Sequence, residues 1–468
     1  MTYIFYDFET SSRELIGQIL SYAFVVTDSN LEIIEHLEGL ISLNRTQCPD
    51  VDAILTNKID VLSLQKHGET EFNAASKIFN FLSKLIQEYE KVTLVGFNSN
   101  QFDLSFLRNL LIRNGLNPYF SGKLFNKDIL HWSQYLAFYN SEDFPWTKQQ
   151  KEDTTYYSFK LEDLTHASNL IDSPQTHNAL EDVLLTLKLV TYFESKFNEK
   201  LHDFNAFQLP ESLNSNKHKL LKQRTRHYPD ANIPLEKYIN TYFLPLNITS
   251  KTHLYVNLSK LSQVNLADLS NEEKITYISY KNANKHFFIA QDTTEEETQP
   301  YSKLIKDCLE DPFFKQFLTN PNYYFEFNKK NWDIEYQIHE LGFTHIDTLN
   351  TLIKKMLNSE SIYLSQLKEL MSNKKDQKDI YLIQLFNRFY LNNHSNPETN
   401  LLQRYLTPKY IKGSLYREPS EENLFKSQFD YLKTKLATIE SEQDLEILKS
   451  LQTYYEEFEK LLQTPINA

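Results

Sequence analysis

Five side chains of this sequence have the types and spacings that chemistry needs. Asp7 and Glu9 lie one residue apart in the run Ile4-Phe5-Tyr6-Asp7-Phe8-Glu9-Thr10. Side chains alternate along a strand, so both carboxylates leave a buried sheet on the same face. Two like charges that close repel one another and are costly to desolvate, unless cations lie between them. Asp103 follows a short apolar stretch and the loop Gly96-Phe97-Asn98-Ser99-Asn100-Gln101-Phe102, and Asp182 stands five positions after His177. Carboxylates are hard ligands that suit magnesium or manganese, ions that keep water and phosphate in their remaining positions. Two such ions about 4 Å apart activate water and stabilise the leaving oxygen of a phosphodiester. His177 is then placed to take the proton from the attacking water. Taken singly, each residue also has an ordinary reading. Asp103 suits a helix start through the dipole, Asn98 and Asn100 suit loops by bonding to their own backbone, and His177 suits an exposed loop.

The elements that must position these groups are legible in the first two hundred or so residues. Residues 18–27 and 31–41 read as second and third strands, with Asp28-Ser29-Asn30 turning between them. Phe72, Ala75, Ile78, Phe79, Leu82, Leu85 and Ile86 recur at helical spacing, which predicts an amphipathic helix over 72–89. Residues 92–95 form a short buried strand and 103–113 a helix, so Asp103 falls just past a strand end, where open α/β sheets place their chemistry. A helix over 128–139, a polar loop over 140–157 and a short helix from Ser158 follow. Asn178 with Glu181 three residues on has the pattern of a capping box, which puts His177 on the preceding loop and Asp182 in the first or second helical turn.

Bulk properties narrow the class. A chain of 468 residues exceeds one ordinary domain. With 41% apolar and 24% charged residues it reads as a globular protein. No apolar run reaches the roughly 18 residues of a membrane span, and acidic residues arrive too early for a signal peptide. Cys48 and Cys308 are the sole cysteines, far apart, which fits a reducing cytoplasm and argues against a disulfide or a cysteine-rich zinc scaffold. A formal net charge of −13 argues against indiscriminate nucleic-acid binding.

With Asp7-Phe8-Glu9-Thr10, the segment from Asn98 to Asp103, and His177 with Asp182 in order, the chain resembles the DEDD superfamily of 3'→5' exonucleases, in its histidine subtype. In the tyrosine subtype a tyrosine stands four residues before the last aspartate, where this chain has Asn178. Within the superfamily it looks most like the branch of bacterial enzymes that degrade single-stranded DNA. Gly96-Phe97-Asn98, Ser158-Phe159-Lys160-Leu161-Glu162 with Leu164-Thr165, and Asn216-Lys217-His218-Lys219-Leu220 carry that likeness. Two departures stand near the expected nucleotide pocket: Ser11-Ser12 where the family has Phe-Gly, and Leu104 where it has a second acidic residue.

The resemblance implies an α/β fold. A ribonuclease H-like mixed-sheet exonuclease domain (1–197) is followed by a small SH3-like β domain with a helical insertion (198–340) and a C-terminal all-helical domain (341–468). It implies that Asp7, Glu9, Asp103 and Asp182 hold two Mg2+ ions, with Mn2+ as a substitute, and that His177 is the base. The reaction would release 5'-mononucleotides from single-stranded DNA, processively, in DNA repair. Such enzymes are recruited by the acidic C-terminal tail of single-stranded DNA-binding protein, and a cytoplasmic monomer is expected. A related RNA-trimming or proofreading exonuclease, or an inactive nucleic-acid-binding scaffold, are the competing readings.

Later segments carry local basic charge in an acidic chain. Lys217, Lys219, Lys222, Arg224 and Arg226 cluster without an acid; read bare the segment suits a solvated linker, and beside a nuclease site it suits phosphate contact, or the docking of an acidic tail. Segments 252–261, 273–280, 286–292 and 324–329 read as short strands. Lys409 and Lys412, among Tyr405, Tyr410 and Tyr416, suit stacking on unpaired bases, or an ordinary loop of a helical domain. The 29 tyrosines and 32 phenylalanines are read as core, because a surface carrying that many would be one large apolar patch.

Overall fold

The computed structural model describes residues 2–151, 154–171, 178–226, 238–249, 252–327, 333–411 and 423–463. These pack into two compact units, one of Met1–Lys127, Gln175–Leu187 and Asn331–Ala468, the other of Asp128–Pro174 and Lys188–Lys330. The boundaries expected at 197 and 340 are divisions of the sequence that cut across these units.

The first unit is built on a five-stranded sheet of order β3-β2-β1-β4-β5. Its strands are β1 (Thr2–Thr10), β2 (Ile19–Thr27), β3 (Ile33–Leu40), β4 (Val92–Gly96) and β5 (Leu124–Asp128). β1 pairs antiparallel with β2 and parallel with β4, so it is central, and its near-continuous apolar run is buried accordingly. β3 lies at the edge, half exposed, and carries Glu35, His36 and Glu38, charges that discourage pairing with another chain. Helices α1 (Val51–Asn57), α2 (Val61–His67), α3 (Glu71–Tyr89) and α4 (Asp103–Arg113) follow. Thr70 caps α3, its hydroxyl accepting from the Asn73 N–H at 3.3 Å.

The C-terminal helices of this unit share one core with α1 and α2. Leu20, Val51, Ile54, Val61, Leu64 and Ile112 form a continuous cluster with Ile346, Leu349, Phe386, Leu448 and Tyr455. A charged centre lies within the same unit. Arg113 pairs with Glu71 and, at 3.3 Å, with Glu335, while Arg388 pairs with Glu71 at 3.1 Å and with Glu335 at 2.9 Å. All four side chains are at most 4% exposed. Burial alone would raise the Glu71 carboxyl, but Arg113 and Arg388 hold it below its ordinary value. Arg388→Ala leaves Glu71 and Glu335 undercompensated, so it is expected to cost about 3–5 kcal/mol in urea denaturation, more than a volume-matched apolar replacement of the whole group. A chain cut after Phe197 would strip α1, α2, Glu71 and Arg113 of these partners, and is expected to aggregate rather than act as a free-standing nuclease.

The second unit contains helix α5 (Ile129–Tyr139), the antiparallel pair β6 (Thr147–Lys151) and β7 (Thr154–Ser158), and helix α6 (Leu161–Ala167). Helix α7 (Ala179–Phe197) begins in the first unit and ends in the second. A six-stranded sheet of order β12-β11-β10-β9-β13-β8 lies where a small β domain is expected. Its strands are β8 (Phe207–Gln208), β9 (Leu221–Arg226), β10 (Tyr238–Ile248), β11 (Thr252–Asn257), β12 (Ile278–Asn282) and β13 (Phe288–Asp292).

Three expectations are corrected here. The polar stretch read as a loop over 140–157 holds the β6–β7 pair, in which Thr147 faces Ser158 and Gln149 faces Tyr156. Threonine and tyrosine favour strands despite their polarity. The segment read as a strand over 324–329 is helical over Tyr323–Phe327, where Tyr323 and Phe327 pack on Phe313. The segment read as a basic linker contributes β9, paired with both β10 and β13.

Candidate metal centre

The carboxylates converge because three elements deliver them to one place. On β1, Asp7 lies opposite Ala23 and Glu9 opposite Ser21, two positions apart and therefore on one face. Asp103 opens α4, and Asp182 lies in the first turn of α7. Asn178 starts α7 as expected, its Oδ1 accepting from the N–H groups of Leu180 and Glu181 at 3.1 and 3.3 Å.

Ligand atoms of Asp7, Glu9 and Asp182 all lie within 4.8 Å of one another. Asp103 is 3% exposed and belongs to the same electrostatic cluster, since its charge acts on Asp7. Burial, then Asp103 and Asp182, raise the Asp7 carboxyl well above its ordinary value. Burial, then Asp7 and Asp182, push the Glu9 carboxyl up to about 9. Such a set of buried, mutually repelling oxygen donors fits a divalent cation of the hard class, which would relieve the repulsion that raises the acids.

A linkage follows, with its sign set by the direction of the shift. Glu9 has an ordinary value of 4.5 and about 9 in the metal-free fold, so the folded state holds more protons between these values. Metal-free stability is therefore expected to fall as pH rises through that window. A cation must displace the protons, so its affinity should rise over the same window. Calorimetric titration of Mg2+ at pH 7 in buffers of different ionisation enthalpy should show net proton release, shrinking towards pH 10. Heats independent of the buffer would contradict the shift.

A second network fixes the loop that carries Asp103. Tyr6 on β1 donates to Asn126 Oδ1 at 2.9 Å, and Asn126 Nδ2 donates to Ser99 Oγ at 3.2 Å and Asn100 Oδ1 at 2.9 Å. Asn98 turns the chain in the left-handed region at φ 57°. Gly96 has no room for a side chain, since a Cβ there would lie 2.6 Å from that of Ser99. Asn126 escaped the sequence reading because β5 did; Leu124 to Asp128, between a glycine turn and a helix, was the available signal.

The expected basic contacts fare unequally. Lys217 and Arg224 are exposed, whereas Lys219 pairs with Asp292 and Lys222 with Glu297, each at 2.8 Å. Lys409 is corrected. It is fully buried, 3.6 Å from the Asp333 carboxylate and over the Tyr405 ring, and so serves as an internal counter-ion. His177, Lys412 and the side chain of Arg226 lie outside the described residues.

Sheet order, strand directions and the carboxylates on β1, α4 and α7 define the class: an α/β protein with a buried acidic centre of the kind that holds divalent cations. The particular protein it resembles is exodeoxyribonuclease I. The chain is 30% identical over 207 residues to exodeoxyribonuclease I of Buchnera aphidicola subsp. Acyrthosiphon pisum, a match covering 43% of this chain and 48% of that protein. With the Buchnera aphidicola subsp. Schizaphis graminum protein of that name the identity is 25% over 437 residues, 85% of this chain and 84% of the relative. The Escherichia coli K12 protein matches at 26% over 225 residues, 47% of this chain and 44% of its own length. In the first and third of these, the match thus takes in less than half of the relative. No family model matches.

Among solved structures, E. coli exonuclease I in complex with a dA16 oligonucleotide superposes with a TM-score of 0.65 at 18% identity, covering 98% of this chain and 99% of that one. The zinc-bound form of its single-stranded DNA complex gives 0.64 at 17%, with the same coverage. These are likenesses of fold, and they run through both units.

Proposed function

We propose that this protein is a metal-dependent 3'→5' exonuclease that degrades single-stranded DNA to 5'-mononucleotides. The observation that carries the reading is the convergence of Asp7, Glu9, Asp103 and Asp182, in a chain whose fold follows exodeoxyribonuclease I from end to end. Asp7, Glu9, Asp103 and Asp182 would hold two Mg2+ ions, or Mn2+ in their place, which supply Lewis-acid activation of water and stabilisation of the leaving oxygen. The remaining chemistry belongs to the chain. His177 takes the proton from the attacking water. Asn126, through Ser99 and Asn100, keeps the Asp103 loop in register.

The rest of the molecule would hold the strand, which would make digestion processive; the proposed setting is DNA repair, by a cytoplasmic monomer. Within this cluster Lys217 and Arg224 are the more exposed side chains, and Lys219 and Lys222 lie against acids, so exposure places the first pair better for phosphates. Single-strand affinity is expected to depend on salt with a slope of about 0.7 per phosphate contact. Neutralising Lys217 and Arg224 should flatten that slope more than neutralising Lys219 and Lys222, as read by fluorescence anisotropy across a salt series. An equal effect of the two pairs would remove this assignment.

Arg224 also lines a pocket with Phe138, Tyr139, Phe287 and Ile289. A cation beside apolar rings suits the acidic, amphipathic C-terminal tail of single-stranded DNA-binding protein, and a tail peptide should bind there saturably at low salt. The substrate class is tested by digesting matched DNA and RNA oligonucleotides, single- and double-stranded. Single-stranded DNA should be consumed fastest, and preferential loss of RNA would turn the reading to an exoribonuclease of the same subtype.

A further inference from the structure

The first unit holds a cavity that none of the four carboxylates lines and that the proposed reaction does not use. It measures about 300 Å³, at the lower end of small-molecule sites. Its walls come from the segment after β3, from helix Gln377–Asn393 and the residues around it, and from helix Glu442–Gln463.

Four observations there point to a ligand. Arg45 lines the cavity half-buried, and no carboxylate pairs with it among the described residues, although burial lowers its basicity. A guanidinium taken from water without an anion is a cost that a bound anion would remove. Asn392 accepts from the Thr46 hydroxyl at 2.9 Å, while its Nδ2 is buried with no partner. Turning the amide over merely exchanges which of its polar atoms is left unsatisfied. Asn393 is held by donation to the Phe389 carbonyl at 2.9 Å, which leaves its Oδ1 available as an acceptor. Tyr454 and Phe458 supply an apolar wall, their rings 22° from parallel and 6.2 Å apart.

We propose that this cavity binds a nucleoside monophosphate, with the phosphate on Arg45 and Asn392 and the base along the Tyr454–Phe458 wall. Arginine is suited to phosphate by its planar fork of donors. Glu457 lines the same cavity and is exposed. Its charge disfavours a bare polyanion and favours a ligand that also carries N–H donors, as an amino- or imino-bearing base does. Asn393 Oδ1 accepts from the same kind of edge. The inference stands apart from the exonuclease reading, since none of these residues belongs to the carboxylate centre.

The test is isothermal titration of dGMP into the full chain in excess chelator, so that metal-dependent binding at the carboxylates does not contribute. One saturable site is expected. Arg45→Ala should weaken it about 10- to 100-fold, the loss typical of a charged hydrogen bond, and Asn392→Leu should weaken it as well. Deoxyguanosine and inorganic phosphate alone should each bind more weakly than dGMP. Arg45→Gln serves as a second variant should the alanine protein melt early. Absence of saturable binding at millimolar dGMP, unchanged affinity in both Arg45 variants, or phosphate binding as tightly as dGMP would each overturn the proposal.

Discussion

Asp7→Asn, and separately Asp182→Asn, should abolish cleavage while the protein remains folded. Asparagine keeps the volume and shape of aspartate, so neither β1 nor the first turn of α7 is disturbed. What is lost is a charged ligand at a point where Asp7, Glu9 and Asp182 offer oxygens within 4.8 Å of one another. Metal-ion catalysis supplies several kcal/mol of transition-state stabilisation, so turnover is expected to fall by at least about 10³-fold under saturating Mg2+. The same change removes a repulsion, because Asp7 is raised by burial and by the charges of Asp103 and Asp182. In chelator at alkaline pH, each variant should therefore melt no lower than the parent. Turnover within about tenfold of the parent in either variant would remove that residue from the metal site.

His177→Ala is expected to lower kcat by about 10²–10⁴-fold, the usual contribution of a positioned general base. Metal binding should persist, because the four carboxylates are untouched. A base acts deprotonated, so the parent's rate should rise with pH along a histidine-like limb, and the variant should lose that limb. Should calorimetry show that the variant no longer takes up a metal ion, His177 would be a ligand and the proton would have another acceptor.

Local patterns made most of the first unit legible. An apolar strand carrying two acids on one face, a helix with an unbroken apolar stripe, and an asparagine-capped helix each announce themselves within about ten residues. The convergence of the carboxylates was readable for the same reason: each acid sits near a strand end or a helix start with its own local signature. What stayed hidden depends on partners distant in sequence. Lys409 looks like a surface cation among tyrosines until Asp333 is placed beside it. Glu71 and Arg113 resemble ordinary helix residues until Glu335 and Arg388 complete their set. Lys219 and Lys222 form a basic cluster in sequence, but Asp292 and Glu297 face them in space. The β6–β7 pair was missed because its residues are polar on both faces, which erases the alternation that marks a half-buried strand.

Under the proposed function these carboxylates drive metal-dependent removal of nucleotides from a 3' end. Its most direct test is a time course on a 5'-labelled single-stranded DNA oligonucleotide, with Mg2+ titrated in and with excess chelator. A ladder of labelled products shortening from the 3' end is expected, dependent on Mg2+ and absent in chelator. Full activity in chelator, immediate release of the labelled terminal nucleotide, or cuts scattered through the strand would contradict it.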